Sequence, residues 1–261
     1  MCLLVLAWRC HARHRLVLAA NRDEFHARPA APLGPWQDAP GIIGGRDLQA
    51  SGAWLAADQR RRVGIVTNFR EFGRRRRSAP SRGGLIPAYL AGDLSPGEQL
   101  RQLETDAPGY AGFNLLLADR DSLWYASNRA DAFARELPPG IYGLSNEFLD
   151  TPWPKLVRVR ARFTSLLADA RTAAGEPLET GLFAMLADRE PAPPEALPPG
   201  DLSPEWARKL SAPFVLDPGY GTRCSTVLTI TDRNELRIAE RRFAADGSPA
   251  GDSEYALNAG P

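Results

Sequence analysis

The chain has 261 residues and a nearly balanced charge, 32 basic against 31 acidic side chains, for a formal net charge of +1. That balance leaves no global field to steer the protein to nucleic acid or an anionic membrane, so neither is expected as a partner. Hydrophobic and charged fractions of 44% and 24% are those of a globular chain, and no run approaches the roughly 18 apolar residues of a membrane span.

Met1–Ala7 is an apolar run that predicts a strand and sets a cysteine directly behind the initiator. It lacks the basic start and the cleavage site of a signal peptide. Arg9–His14 predicts a basic turn, and Leu16–Ala20 returns the chain into Asn21-Arg22-Asp23-Glu24. Paired as a hairpin, these runs bring Cys2 beside Asn21–Glu24, so that a thiol, a guanidinium and two carboxylates meet at one sheet end. The cysteines Cys2, Cys10 and Cys224 do not form a disulfide framework, and the cytoplasm is the expected compartment.

Ala30–Pro40 is proline-rich and predicts an irregular loop. Ile42–Asp47 and Gly52–Ala56 read as short strands around a corner at Gly44-Gly45, which serves either a tight turn or close approach of a ligand. Val63–Asn68 predicts a strand, and Arg74–Arg77 a solvated loop or a rim for anionic ligands. Leu85–Leu90 predicts a short helix. Ser95-Pro96-Gly97-Glu98 has the pattern of a capping box with proline at N1, opening a helix to about Asp106. Phe113–Ala118 and Leu123–Ala126 form a hairpin around Asp119–Ser122, and a strand ends at Ser145-Asn146.

The longest predicted helix opens at Thr151-Pro152 and shows Leu156, Val159, Phe163, Leu166 and Leu167 on one face. A second runs from Pro177 to Asp188 with Leu178, Leu182, Met185 and Leu186 inward. Pro191–Pro199 reads as a loop, and Ser203-Pro204 caps a short helix bearing Trp206 and Leu210. Cys224–Ile230 and Leu236–Phe243 form a third hairpin, and the polar tail beyond Asp246 is expected to fray. Strands at both ends with helices between them predict an α+β fold dominated by antiparallel hairpins, in one domain over residues 1–261.

No histidine is expected at the active strand ends, and His11, His14 and Cys10 lack zinc-site spacing, so neither an imidazole-based triad nor a metal is predicted. A base for Cys2 is available if Met1 is removed, because Cys2 then carries a free α-amine. Arg22 would favour the thiolate and Asp23 would hold the ammonium form. Asn68 or Asn146, with backbone N–H groups, would stabilise a tetrahedral oxyanion.

The same residues carry a family resemblance. The chain resembles the NRDE family, typified by the transport-and-Golgi-organisation protein two and named for the tetrad seen here as Asn21–Glu24. The match continues through Gly44–Asp47, Gly52–Leu55, Thr67–Arg70, Ser81-Arg82-Gly83, Gly112–Leu116, Gly143–Asn146, Asp150–Lys155, Tyr220–Arg223 and Ser225–Val227. The resemblance implies the N-terminal-nucleophile hydrolase fold, a four-layer αββα sandwich of two antiparallel sheets between helical layers. The chemical analogy is the bile-salt hydrolase and penicillin V acylase group. It implies Cys2 as nucleophile and its α-amine as base, with Arg22 or Asn21 and Asp23 or Glu24 in support. Asn68 is similar to the residue beside the oxyanion hole, Asn146 to its amide donor and Arg223 to the second arginine near the thiol. Where the family has serine, this chain has Cys224, either a small buried substitution or a second thiol near Cys2.

Two functions follow. One is an N-terminal cysteine amidohydrolase acting on a small non-peptide amide or acylated amine, needing no cofactor. The other is a non-catalytic binder or carrier of haem or another amphipathic ligand in the same cleft. Asn21, Glu24, Trp54 and Trp153 are the expected ligand contacts, with the Arg74–Arg77 rim beside them.

Overall fold

The computed structural model describes residues 2–71, 79–169, 178–197, 200 and 202–258. Met1, Arg74–Arg77 and Pro177, singled out in the sequence, lie outside these. The architecture is α+β, with two antiparallel sheets flanked by helices, as the resemblance implied. The chain divides into two compact units, one of Met1–Ala27, Pro139–Ser145 and Leu149–Pro261, the other of Arg28–Pro138 and Asn146–Phe148.

The first unit holds a six-stranded sheet of β1 (Cys2–Trp8), β2 (His14–Phe25), β10 (Gly140–Leu144), β11 (Tyr220–Thr231), β12 (Leu236–Phe243) and β13 (Pro249–Leu257). Their order is β10-β1-β2-β11-β12-β13. Alternate residues Leu3, Val5, Ala7, Val17, Ala19, Val227 and Ala239 pack against Leu156, Val159, Phe163 and Leu167 of α3 (Pro154–Ala168) and against α4 (Glu179–Leu186). The apolar stripe read for the longest helix is therefore the one that is buried. Leu166 lies at its border.

The second unit holds a seven-stranded sheet, ordered β3 to β9: β3 (Ala30–Pro35), β4 (Ile42–Asp47), β5 (Leu55–Asp58), β6 (Val63–Asn68), β7 (Phe113–Ala118), β8 (Leu123–Ser127) and β9 (Ala134–Glu136). Helices α1 (Leu85–Ala91) and α2 (Pro96–Glu104) contribute Ile86, Tyr89 and Leu100 to a core shared with Val66, Phe113, Leu115 and Leu117. The capping box is present: Ser95 receives the Glu98 backbone N–H and the Glu98 side chain receives that of Ser95.

Three expectations are corrected. β3 is a strand where an irregular loop was expected; it tolerates Pro32 and Pro35 because it is an edge, where a missing N–H breaks no inner ladder. Gly44-Gly45 is no corner and no ligand approach. Both lie inside β4, and a Cβ would fall 2.7 Å from Ala56 Cβ at Gly44 and 2.1 Å from the Trp54 ring at Gly45. The tail does not fray at Asp246. Asp246-Gly247, with Gly247 at φ +75°, turns the chain into β13, an exposed polar edge strand.

The second unit also contains a buried ion pair. Arg62 donates from Nε to Asp58 Oδ2 at 2.8 Å. It also reaches Tyr89 O, Gly92 O and Leu90 O, the unsatisfied carbonyls at the C-terminus of α1. Arg62→Ala would take away the closest cation from Asp58 and the guanidinium from Tyr89 O, while Arg60 still reaches Asp58, Leu90 O and Gly92 O, lowering stability by about 1–3 kcal/mol. Urea unfolding measures this, and an unchanged midpoint would show that water replaces the guanidinium at little cost.

Candidate functional site

Antiparallel pairing sets Cys2 opposite Arg22 and Leu3 opposite Asn21. The register is fixed by the apolar hairpin behind it, since a one-residue slip would turn Val17 and Ala19 away from α3 and α4. β2 runs on through the tetrad to Phe25, so Asn21–Glu24 obey strand alternation. Arg22 and Glu24 share the face of the Cys2 side chain. Asn21 and Asp23 point to the opposite face, where the helices pack. The tetrad is thus split between two faces of one sheet.

On the thiol face, Cys2, Arg22 and Cys224 form a row across β1, β2 and β11. Burial pushes the Cys2 thiol above its ordinary range, against the pull of the Arg22 charge and a hydrogen bond from the Asp23 backbone. Ser145, just after β10, donates its hydroxyl to the Cys2 carbonyl at 2.9 Å and fixes the strand start. Cys224 is fully enclosed; burial, then the Glu240 carboxylate, push its thiol well above the ordinary value. Cys2 and Cys224 lie on either side of Arg22, two strand spacings apart, which is about 9.5 Å between Cα atoms. A disulfide needs less than about 7 Å, so the second thiol forms no redox pair with Cys2 in this arrangement. Arg223 occupies a register shift between Thr222 and Cys224, and such a bulge re-aims a side chain. Its guanidinium donates to Phe25 O at 2.9 Å and to His26 O at 3.2 Å.

On the helix face, Asn21 is 1% exposed and heavily committed. Its Nδ2 donates to Leu186 O and Pro213 O, both at 2.9 Å, and its Oδ1 accepts from Ser225 Oγ at 2.6 Å. Both amide hydrogens are used, so Asn21 anchors β2. Asp23, 2% exposed, accepts from Thr222 Oγ1 at 2.7 Å. Burial pushes its carboxyl up, while Lys155, Thr222 and Arg22 pull it down. Thr222 and Ser145 stand in sequence blocks that marked the family, but nothing in the linear pattern assigned them to this strand end.

The remaining expected residues are placed as follows. Glu24 Oε1 accepts from the Phe25 N–H at 2.9 Å. Trp153 begins α3 and packs against the helix-face core. Trp54 lies over Gly45 in the second unit. In that unit Asn68 ends β6 at an exposed position, and Asn146 Nδ2 donates to Asn68 O at 2.8 Å. Buried Asn114, which the sequence did not flag, donates to Thr67 Oγ1 at 3.3 Å and Glu147 O at 2.9 Å, accepts from the Tyr125 hydroxyl at 2.8 Å, and so ties Asn146–Phe148 to β7.

His11 and His14 face each other, Nδ1 to Nδ1, at 3.1 Å. Burial lowers both, His14 to about 4, so both are neutral at pH 7. They occupy the far end of the β1–β2 hairpin, roughly 20 Å from Cys2 along the strand. Among the described residues no group of three or more His, Cys, Asp or Glu is arranged to hold a metal ion, and no helix is long and apolar enough to cross a membrane.

A family profile described as Transport and Golgi organisation 2 matches residues 1–245. The chain is 33% identical over 240 residues to the Transport and Golgi organization protein 2 homolog of Bos taurus and 31% over 239 residues to that of Homo sapiens. The Drosophila melanogaster Transport and Golgi organization protein 2 is 26% identical over 253 residues. Each alignment covers 87% of this chain and 86% of the relative. A solved structure, the Caenorhabditis elegans N-acylethanolamine-hydrolyzing acid amidase ortholog, aligns at a TM-score of 0.49 and 10% identity, over 87% of this chain and 92% of that one. The chain belongs to the Transport and Golgi organisation 2 family.

Proposed function

We propose that this family member is an N-terminal cysteine amidohydrolase, cleaving a small non-peptide amide or acylated amine after removal of Met1. The observation that carries the reading is the register of Cys2 opposite Arg22, with Asp23 adjacent on the other face. A backbone nitrogen lies in the plane of its sheet and is reachable from both faces. Once Met1 is gone, the Cys2 amine stands between the two halves of the tetrad: Arg22 serves the sulfur and Asp23 serves the nitrogen.

The chemistry balances on Cys2 itself. The thiol gives its proton to the α-amine, and the sulfur attacks the amide carbonyl carbon to form a tetrahedral oxyanion. Collapse breaks the C–N bond, and the leaving amine takes the proton from the α-ammonium. Water then gives a proton to the α-amine as its oxygen attacks the thioester; the C–S bond breaks, the acid leaves and the thiol is restored. Arg22 favours the thiolate, and the resemblance implies Arg223 as the second arginine near the thiol, Asn146 as the oxyanion's amide donor and Asn68 as the residue beside it. The cytoplasm suits the reading because Cys2 has to stay reduced.

The test is intact mass and N-terminal peptide mapping after a mild thiol electrophile. The expected result is loss of Met1 and modification of Cys2 ahead of exposed Cys10 and enclosed Cys224. A retained Met1 with an inert Cys2 would sink the mechanism, since an amide nitrogen is no base, and would favour the carrier of haem or another amphipathic ligand.

A further inference from the structure

The start of β1 is held by a side chain at a point where the backbone ladder on that side has already ended. Pairing of β1 with β10 runs from Trp8 opposite Gly140 to Leu4 opposite Leu144, so Cys2 lies two residues past its end. Ser145, the next residue after β10, is 3% exposed and donates its hydroxyl to the Cys2 carbonyl at 2.9 Å. A serine so enclosed has to satisfy its hydroxyl, and here it does so on the backbone of the candidate nucleophile.

That bond also reports which way Cys2 faces. β1 lies between β10 and β2, and a carbonyl that reaches Ser145 points to the β10 side. In an antiparallel strand the N–H and C=O of one residue point to the same neighbour. The Cys2 nitrogen is therefore directed to the β10 side as well. Cys2 opposite Arg22 is then a non-hydrogen-bonded pair, the kind in which side chains stand closer. An ammonium carries three hydrogens, so this placement is compatible with Asp23 serving the nitrogen from β2.

The sulfur is held from the other strand, by the backbone N–H of Asp23. Carbonyl and sulfur are thus tied by separate hydrogen bonds, one from each side of β1. The ties matter because removal of Met1 makes Cys2 the terminal residue, and terminal residues fray unless tied down. Transfer of the thiol proton to the nitrogen of the same residue needs sulfur and nitrogen gauche about the Cα–Cβ bond. A frayed residue spends less time so arranged.

We propose that Ser145 is a positioning residue: its hydroxyl, by holding the Cys2 carbonyl, fixes the terminal residue so that the thiol and the α-amine meet in the geometry for proton transfer. The proposal rests on Cys2 acting as an N-terminal nucleophile. Ser145 touches no reacting atom. It acts through the backbone of the residue that does.

The test follows labelling of Cys2 by iodoacetamide across the pH range of thiol ionisation, in the Met1-free full chain, with Cys2 resolved from Cys10 and Cys224 by peptide mass. Ser145→Ala should label about 3-fold to 10-fold more slowly at pH 7, the loss expected for one hydrogen bond. The pH at which labelling rises should move up by about half to one unit, because the thiolate loses an ammonium held beside it. Ser145→Thr, which keeps the hydroxyl, should restore both. A merely structural serine would lower the melting temperature and leave the labelling profile of the folded protein in place, and that result overturns the proposal. If Ser145→Ala does not fold, infrared spectroscopy of the unaltered Met1-free protein with a carbon-13-labelled Cys2 carbonyl decides instead. A narrow band of one hydrogen-bonded state supports the role, and the broad band of a water-exposed, frayed residue overturns it. A reactive Cys2 whose pH profile ignores Ser145 removes the role of Ser145 alone. A retained Met1 with an inert Cys2 in the unaltered protein removes the nucleophile, and the role of Ser145 falls with it.

Discussion

Cys2→Ala is expected to abolish amide hydrolysis, lowering kcat/KM by about 10⁴-fold to 10⁶-fold, the range seen when a covalent nucleophile is deleted from a hydrolase. The loss is large because no other group can take over. Cys224, across Arg22 from Cys2, is enclosed and its thiol is held protonated by burial and by Glu240. Cys10 is exposed, but it follows the other end of β1. Cys2→Ser keeps the α-amine and a hydroxyl, and should fall well below the unaltered protein because the alcohol ionises far less readily than the thiol. Cys10→Ser should leave the rate unchanged. The hydrogen bond from the Ser145 hydroxyl is made to the Cys2 carbonyl, so the strand start keeps that anchor in all these variants. The readout is amine release from a panel of small acylated amines. Turnover that persists in Cys2→Ala would falsify the assignment.

Asn21→Ala is expected to cost about 3–5 kcal/mol of stability, because it takes a partner from the Leu186 and Pro213 carbonyls and the Ser225 hydroxyl in a buried region. This separates an anchor from a ligand contact. If Asn21 bound substrate, its loss would raise KM while leaving the melting temperature nearly unchanged. The geometry favours the reverse, a lower midpoint in thermal or urea unfolding and, in whatever remains folded at low temperature, near-normal labelling of Cys2. Ser225→Ala removes one of the three bonds and should cost correspondingly less, about 1 kcal/mol. An Asn21→Ala protein as stable as the unaltered one would return Asn21 to the candidate ligand contacts.

The difference between Asn21 and Arg22 shows where reading the linear chain stopped. The two are adjacent, polar and part of one motif, and a motif carries no face. Once β2 is known to continue as a strand to Phe25, alternation separates them. Lys155 was hidden for the same kind of reason. In the sequence it follows Trp153-Pro154 at a helix start, where a charged residue ordinarily faces water. Only the packing of α3 on β1 turns it inward.

Edge strands were the other blind spot. β3 carries two prolines and β13 is solvent-exposed along most of its length, so neither shows the apolar alternation that announces a half-buried strand. Asp246-Gly247 did carry a hairpin signal, and weighting it above the polarity of the tail would have found β13.

The sequence by itself determined the α+β class, the hairpin of β1 and β2, the buried stripe of α3, the capping box at Ser95 and the family, because periodicity and local turn chemistry are written in neighbouring residues. Tertiary structure alone decided that the tetrad serves two faces, that Cys224 stands too far from Cys2 to pair with it, and that Lys155 is buried at the start of α3. Each of these depends on strand register and on which helix covers which face, and those are set by contacts between residues more than a hundred positions apart.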